Sequence, residues 1–121
     1  MSIKSIYLEK FPEKLRKKFW LIGSGAKREI LNNPNYYQNI LNNYPEHIPT
    51  IFISAIEKDI TRTFPEEEFY HKKENLNKIR NILLAFSRRN SSIGYTQGFN
   101  FIVGRILEVV EDEVSKINII F

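Results

Sequence analysis

The sequence predicts an all-α fold. Apolar residues recur three and four positions apart in several segments, prolines stand where those segments start or stop, and no stretch alternates as a strand would. Repeats and low-complexity tracts are absent.

Pro12 opens the first expected helix, in which Leu15, Phe19 and Ile22 recur before Gly23 stops it. Asn33-Pro34 repeats the start signal, and Tyr37, Ile40, Leu41 and Tyr44 follow at helical spacing up to Pro45. Pro49 begins a third helix, whose stripe of Ile48, Phe52 and Ile56 reaches Ile60. Phe64-Pro65 ends it, because a residue ahead of proline is pushed out of the α region. Glu66 to Lys73 is polar and reads as a loop with a short turn. From Glu74 to Asn90, Leu76, Ile79, Ile82, Leu83 and Phe86 mark the cleanest amphipathic helix, with Arg88 and Arg89 near its C-terminus, where the helix dipole favours cations. Ser91 to Gly94 connects it to Phe99–Val110, which is apolar on almost every face and so reads as a helix buried on most sides. Glu111-Asp112-Glu113 reads as the start of a further helix. The expected core includes Trp20, Phe52, Ile56, Leu83, Phe86, Ile102 and Ile106.

At 121 residues, 42% hydrophobic and 26% charged, the chain suits one globular domain. It has no cysteine, so disulfides and thiolate metal sites are excluded. The N-terminus leads into no apolar signal region, and no run is long enough to span a bilayer. A cytoplasmic or peripheral membrane location is expected. The net charge is +4, with clusters at Lys14, Arg16, Lys17 and Lys18, at Lys27 and Arg28, and at Arg88 and Arg89. Acidic residues interrupt them and no nucleic-acid module surrounds them, so solvated helix faces are preferred over a nucleic-acid surface. The apolar end Ile117, Ile119, Ile120 and Phe121, with too few helices to cover the apolar Phe99–Val110, reads as part of a larger domain.

Two polar groups stand out. Arg62 lies on a turn with Asp59 three residues behind it, close enough to pair if the helix continues that far. Taken alone this is a surface ion pair worth under ~1 kcal/mol. Gln97 lies between Gly94 and Gly98 at the mouth of the apolar helix. Alone it is a polar residue near free backbone N–H groups, although the glycines permit unusual backbone angles or a close approach. Asn100 sits inside an apolar helix and must find a hydrogen-bond partner there or in a neighbouring turn. His47 and His71 stand apart from any ligand-spaced partner, so neither is assigned a metal. No Ser/His/Asp pattern and no phosphate-binding Gly-Lys-Ser/Thr loop occurs.

Together these segments resemble the TBC-domain GTPase-activating proteins that act on Rab GTPases. Arg16-Lys17-Lys18-Phe19-Trp20 resembles the Arg-x-x-x-Trp motif of that family. Ile56 to Pro65 is similar to its I-x-x-D-x-x-R-T-x-P motif, and Ile93 to Asn100 resembles its Y-x-Q-G motif, with Leu83-Leu84-Ala85-Phe86 also fitting. The likeness covers residues ~10–113, three motifs in the family's order. It departs at Val114 to Asn118, and the family's second helical half has no counterpart in the chain.

The resemblance implies an irregular orthogonal helical domain, present in part over residues 1–121. It implies that Arg62 is an arginine finger and Gln97 a glutamine finger. Asp59 would orient Arg62, Tyr95, Gly98 and Asn100 would support the site, and Arg16 and Trp20 would be structural. The chain would then activate a GTPase and hold no cofactor or metal of its own. Its partner would be a GTP-bound Rab carrying GTP and Mg²⁺, in vesicle trafficking, with recruitment to endomembranes through that partner and no nucleic acid involved. The rival reading is a helical module that binds a Rab or another protein without catalysis, because the second half is missing.

Overall fold

The computed structural model describes residues 13–43 and 48–109, and every regular element among them is helical. In chain order these are α1 (Glu13–Gly23), α2 (Ala26–Asn32), α3 (Tyr36–Asn43), α4 (Thr50–Ile60), a 3-10 turn (Glu68–His71), α5 (Lys73–Arg89) and α6 (Phe99–Val109). The helices expected at Glu111-Asp112-Glu113 and the apolar end at Ile117 to Phe121 lie outside the described residues, as does His47.

Helix α5 is the centre of the molecule. Its Ile79, Ile82, Leu83 and Ala85 are buried, and α3, α4, α6 and the 3-10 turn all pack against it. Tyr37 and Ile40 of α3, Ile56 and Ile60 of α4, Tyr70, and Val103 and Leu107 of α6 complete one core. The apolar stripe of α5 binds four elements because it is wide, with Ile82 extending the row of Ile79, Leu83 and Phe86.

Polar contacts fix the angles between these helices. Arg80 grips both carboxylate oxygens of Glu57 at 2.6 and 3.0 Å, joining α5 to α4. Arg88 donates to the carbonyls of Ile40 and Leu41 at 3.4 and 3.0 Å, so this cation serves the C-terminal end of α3. Arg89 donates to the Tyr36 hydroxyl at 2.6 Å.

Helix α2 is not among the helices expected from sequence, and Trp20 and Ile102 of the expected core are exposed. At seven residues α2 carries barely two turns, too few for a period to show. It starts because Gly25 takes the left-handed conformation (φ 77°) and the Ser24 hydroxyl accepts the Ala26 N–H at 3.3 Å. Trp20 is 39% exposed, since α1 packs chiefly on α2 and stays off the main core. Ile102 is 56% exposed because α6 turns Val103, Ile106 and Leu107 towards the core and, among the described residues, Ile102 lies off that face. Of the other expected core residues, Ile56, Leu83 and Ile106 are buried, while Phe52 and Phe86 are half-buried.

Candidate functional site

Helix α4 ends without a glycine. Thr61 is still helical, and the N–H groups of Arg62 and Thr63 bond the carbonyls of Asp59 and Ile60 at 3.1 and 3.2 Å. The chain therefore makes one tight turn past the helix and presents Arg62 outward, its side chain 64% exposed. Asp59 sits one turn back with its side chain 8% exposed, and its Oδ1 accepts from Arg62 Nη2 at 2.6 Å. Arg62 Nε also donates to the Lys58 carbonyl at 3.3 Å. One face of the guanidinium is anchored and the rest is left to solvent.

The second oxygen of Asp59 is held from across the molecule. Tyr95 donates its hydroxyl to Oδ2 at 2.5 Å. Burial, reinforced by this bond, pushes the Tyr95 hydroxyl well above the usual tyrosine range. Asn100, at 1% exposure, donates to the Asp59 carbonyl at 3.2 Å and to the Thr63 hydroxyl at 2.9 Å. Thr63 in turn donates to the Asp59 carbonyl at 2.8 Å. A buried amide thus finds its partners in the neighbouring turn, as its place in an apolar helix requires, and this ties the start of α6 to the end of α4.

Gln97 lies in the tight turn just before α6 and is exposed. Gly98 behind it has φ 101°, a conformation that other residues rarely adopt. Gly94 has φ 62°, and a Cβ there would lie 2.4 Å from the Phe52 ring, so the connector lies flat against α4. The result is an open groove of ≈ 400 Å³ whose lining includes Arg62, Gln97, Asp59, Tyr95, Thr50 and Lys58. Residues far apart in sequence thus share one groove because α5 folds α4 and α6 together.

Arg16 and Trp20 belong to α1 and do not line this groove. Thr63, Thr50 and Lys58 were given no role by sequence reasoning. Thr63 carried a signal, as the neighbour of Arg62 within a recognised motif. Thr50 and Lys58 carried none, because groove lining depends on how helices cross. His71 bonds the Pro65 carbonyl at 2.6 Å, a local turn contact. Among the described residues no group of His, Asp and Glu is placed to hold a metal ion.

Neither Arg62 nor Gln97 is suited to moving protons, since a guanidinium keeps its charge and a carboxamide does not titrate. What they offer is fixed positive charge and oriented hydrogen bonds facing an open groove. That chemistry suits anionic oxygens and a water molecule presented by another molecule.

The family model of the Rab-GTPase-TBC domain matches residues 13–120. Growth hormone-regulated TBC protein 1-A of Danio rerio is 33% identical over 119 residues, which is 96% of this chain and 33% of that protein. Growth hormone-regulated TBC protein 1 of Homo sapiens is 31% identical over 115 residues, 93% of this chain and 33% of that protein. The crystal structure of the Chlamydomonas flagellar RabGAP TBC domain superposes with a TM-score of 0.82 at 26% identity, covering 98% of this chain and 41% of that one. The chain thus spans about a third of the length of these curated relatives. With its three motifs, its helical architecture and a family match over most of its length, this chain belongs to the Rab-GTPase-TBC domain family.

Proposed function

We propose that this chain supplies the two fingers of a Rab GTPase-activating site, Arg62 as the arginine finger and Gln97 as the glutamine finger. The observation that carries this reading is their shared groove, with the Asp59 carboxylate holding Arg62 from behind. A GTP-bound Rab would bring GTP and Mg²⁺ to this groove. Arg62 would meet the charge that develops on the phosphate oxygens, and Gln97 would orient the attacking water. An arginine supplied in trans is worth ~10³–10⁵ in rate, or roughly 4–7 kcal/mol of transition-state stabilisation. The setting is the cytoplasmic face of endomembranes in vesicle trafficking, reached through the Rab. No described helix is long and apolar enough to cross a membrane.

Single-turnover GTP hydrolysis across a panel of Rabs tests this reading. Arg62→Ala and Gln97→Ala should each slow hydrolysis by ~10² or more with a smaller loss of binding, because both groups act mainly in the transition state. Arg62→Lys should fail as well, since an ammonium lacks the planar donor fork. Full acceleration by both alanine variants would overturn the finger assignment.

A second reading rests on the exposed Phe101 and Ile102. In it the chain binds a Rab or another protein without accelerating hydrolysis. Measured Rab binding with no effect of the wild-type chain on the rate would select it.

A further inference from the structure

Phe64, two residues after Arg62, has a positive φ of 40°, and Pro65 follows it. That backbone region is crowded for an aromatic residue and restricted further ahead of proline, so it persists only where the surroundings hold it. The Phe64 ring packs against Tyr70 and Phe101, with centroids 5.1 Å away in each case. The guanidinium carbon of Arg105 lies 3.7 Å from the centre of the same ring. That guanidinium also grips Glu67 through two hydrogen bonds of 2.8 and 2.7 Å, and Glu108 accepts a third at 3.0 Å. The Glu67 N–H bonds the Phe64 carbonyl at 3.0 Å, closing the turn that Arg105 holds at both ends.

Two side chains of α6 therefore anchor the segment bearing Arg62, beside the Tyr95 bond to Asp59. Asn100 holds it on either side of Arg62 through Asp59 and Thr63, and Arg105 holds it farther downstream through Phe64 and Glu67. An exposed ion pair by itself contributes little. Here one planar group stacks on a ring and makes a paired carboxylate contact at once, which an arginine can do and a lysine cannot.

We propose that Arg105 is a positioning residue for Arg62: by clamping Phe64 and Glu67 it holds the turn that aims the Arg62 guanidinium into the groove. The proposal rests on the reading of Arg62 as the group presented to the GTPase.

Residue-resolved amide hydrogen exchange on the full chain tests it, with Arg105→Gln as the main variant. Exchange at the Arg62, Thr63 and Glu67 amides should rise about tenfold, while the buried amides of Ile82 and Leu83 stay unchanged. Arg105→Lys should fall between the two. Glu67→Gln, which keeps the stacked arginine, gives a milder rise and serves if Arg105→Gln does not fold. With a Rab that the wild-type chain accelerates, Arg105→Gln should lower the saturating rate about tenfold, with the half-saturating Rab concentration little changed. Unchanged exchange at all three amides overturns the proposal. So does a uniform rise that includes Ile82 and Leu83, which would make Arg105 a general stabiliser. Arg62→Ala run alongside separates the two claims. If it keeps full acceleration the finger reading fails, and the exchange comparison still decides the role of Arg105.

Discussion

Each oxygen of the Asp59 carboxylate has a different task. Oδ1 directs Arg62, and Oδ2 receives the Tyr95 hydroxyl. Tyr95→Phe would leave Oδ2 without that donor in a nearly buried place, so it should cost about 1–3 kcal/mol of stability. Urea denaturation measures this; a midpoint unchanged from wild type would mean that solvent satisfies Oδ2. The same bond has a pH signature. The hydroxyls of Tyr95 and Tyr70 are both pushed up from 10.0, chiefly by burial. A raised folded-state value means that the folded chain holds the proton more tightly than the unfolded one. Their contribution to stability is therefore whole below pH 10 and is lost as the pH climbs above it. A tyrosinate absorbance titration should show Tyr95 and Tyr70 ionising late, together with unfolding. The resemblance singled out Asp59, Arg62, Gln97, Tyr95 and Asn100. It could not say that Asp59 and Tyr95 share a proton contact, because only the crossing of α4 with the start of α6 brings them together.

At the level of elements, the connector between α5 and α6 is built around close contact. Gly94 has the Phe52 ring where its Cβ would be, whereas a Cβ at Gly98 meets open space and only backbone strain. Gly94→Ala should therefore destabilise by about 2–4 kcal/mol and Gly98→Ala by about 1 kcal/mol. Adding Phe52→Leu should restore part of the first loss and none of the second, as read by thermal unfolding of the wild type, Phe52→Leu alone, the two single glycine variants and the two double variants. Helix α5 was legible because a wide apolar stripe repeats over 17 residues. Helix α2 was not, since two turns hold no period and its start depends on the left-handed backbone of Gly25. The position of Arg88 in sequence suits the dipole of its own helix, yet its side chain reaches the carbonyls of α3. Local sequence shows that a cation suits a helix end without showing which helix.

Across the whole molecule, hydropathy showed what prefers burial and could not show where a neighbour is lacking. Trp20 and Ile102 were expected inside for that reason and stand partly outside. By hydropathy helix α6 is apolar nearly all round, although Arg105 and Glu108 mark a polar stretch on its outer side. That outer side also carries Phe101 and Ile102. We expect the chain to self-associate at micromolar concentration through exposed apolar surface of this kind. Ile102→Gln should weaken that association while changing monomer stability by no more than about 0.5 kcal/mol. Sedimentation velocity over a concentration series checks this, and an unchanged mass distribution would place the adhesive surface elsewhere.

The bonds that join Asp59 to Tyr95 and to Asn100 cross 36 and 41 residues of chain. Contacts of such span close large loops, so in refolding they form after local helices have appeared. Most of the helical signal can therefore return while Asp59 still lies open to water and Arg62 swings on an unclamped turn. For this chain, helix content is a poor proxy for a finished groove. A preparation can look folded by backbone spectroscopy and yet lack the one arrangement that the proposed partner would have to recognise.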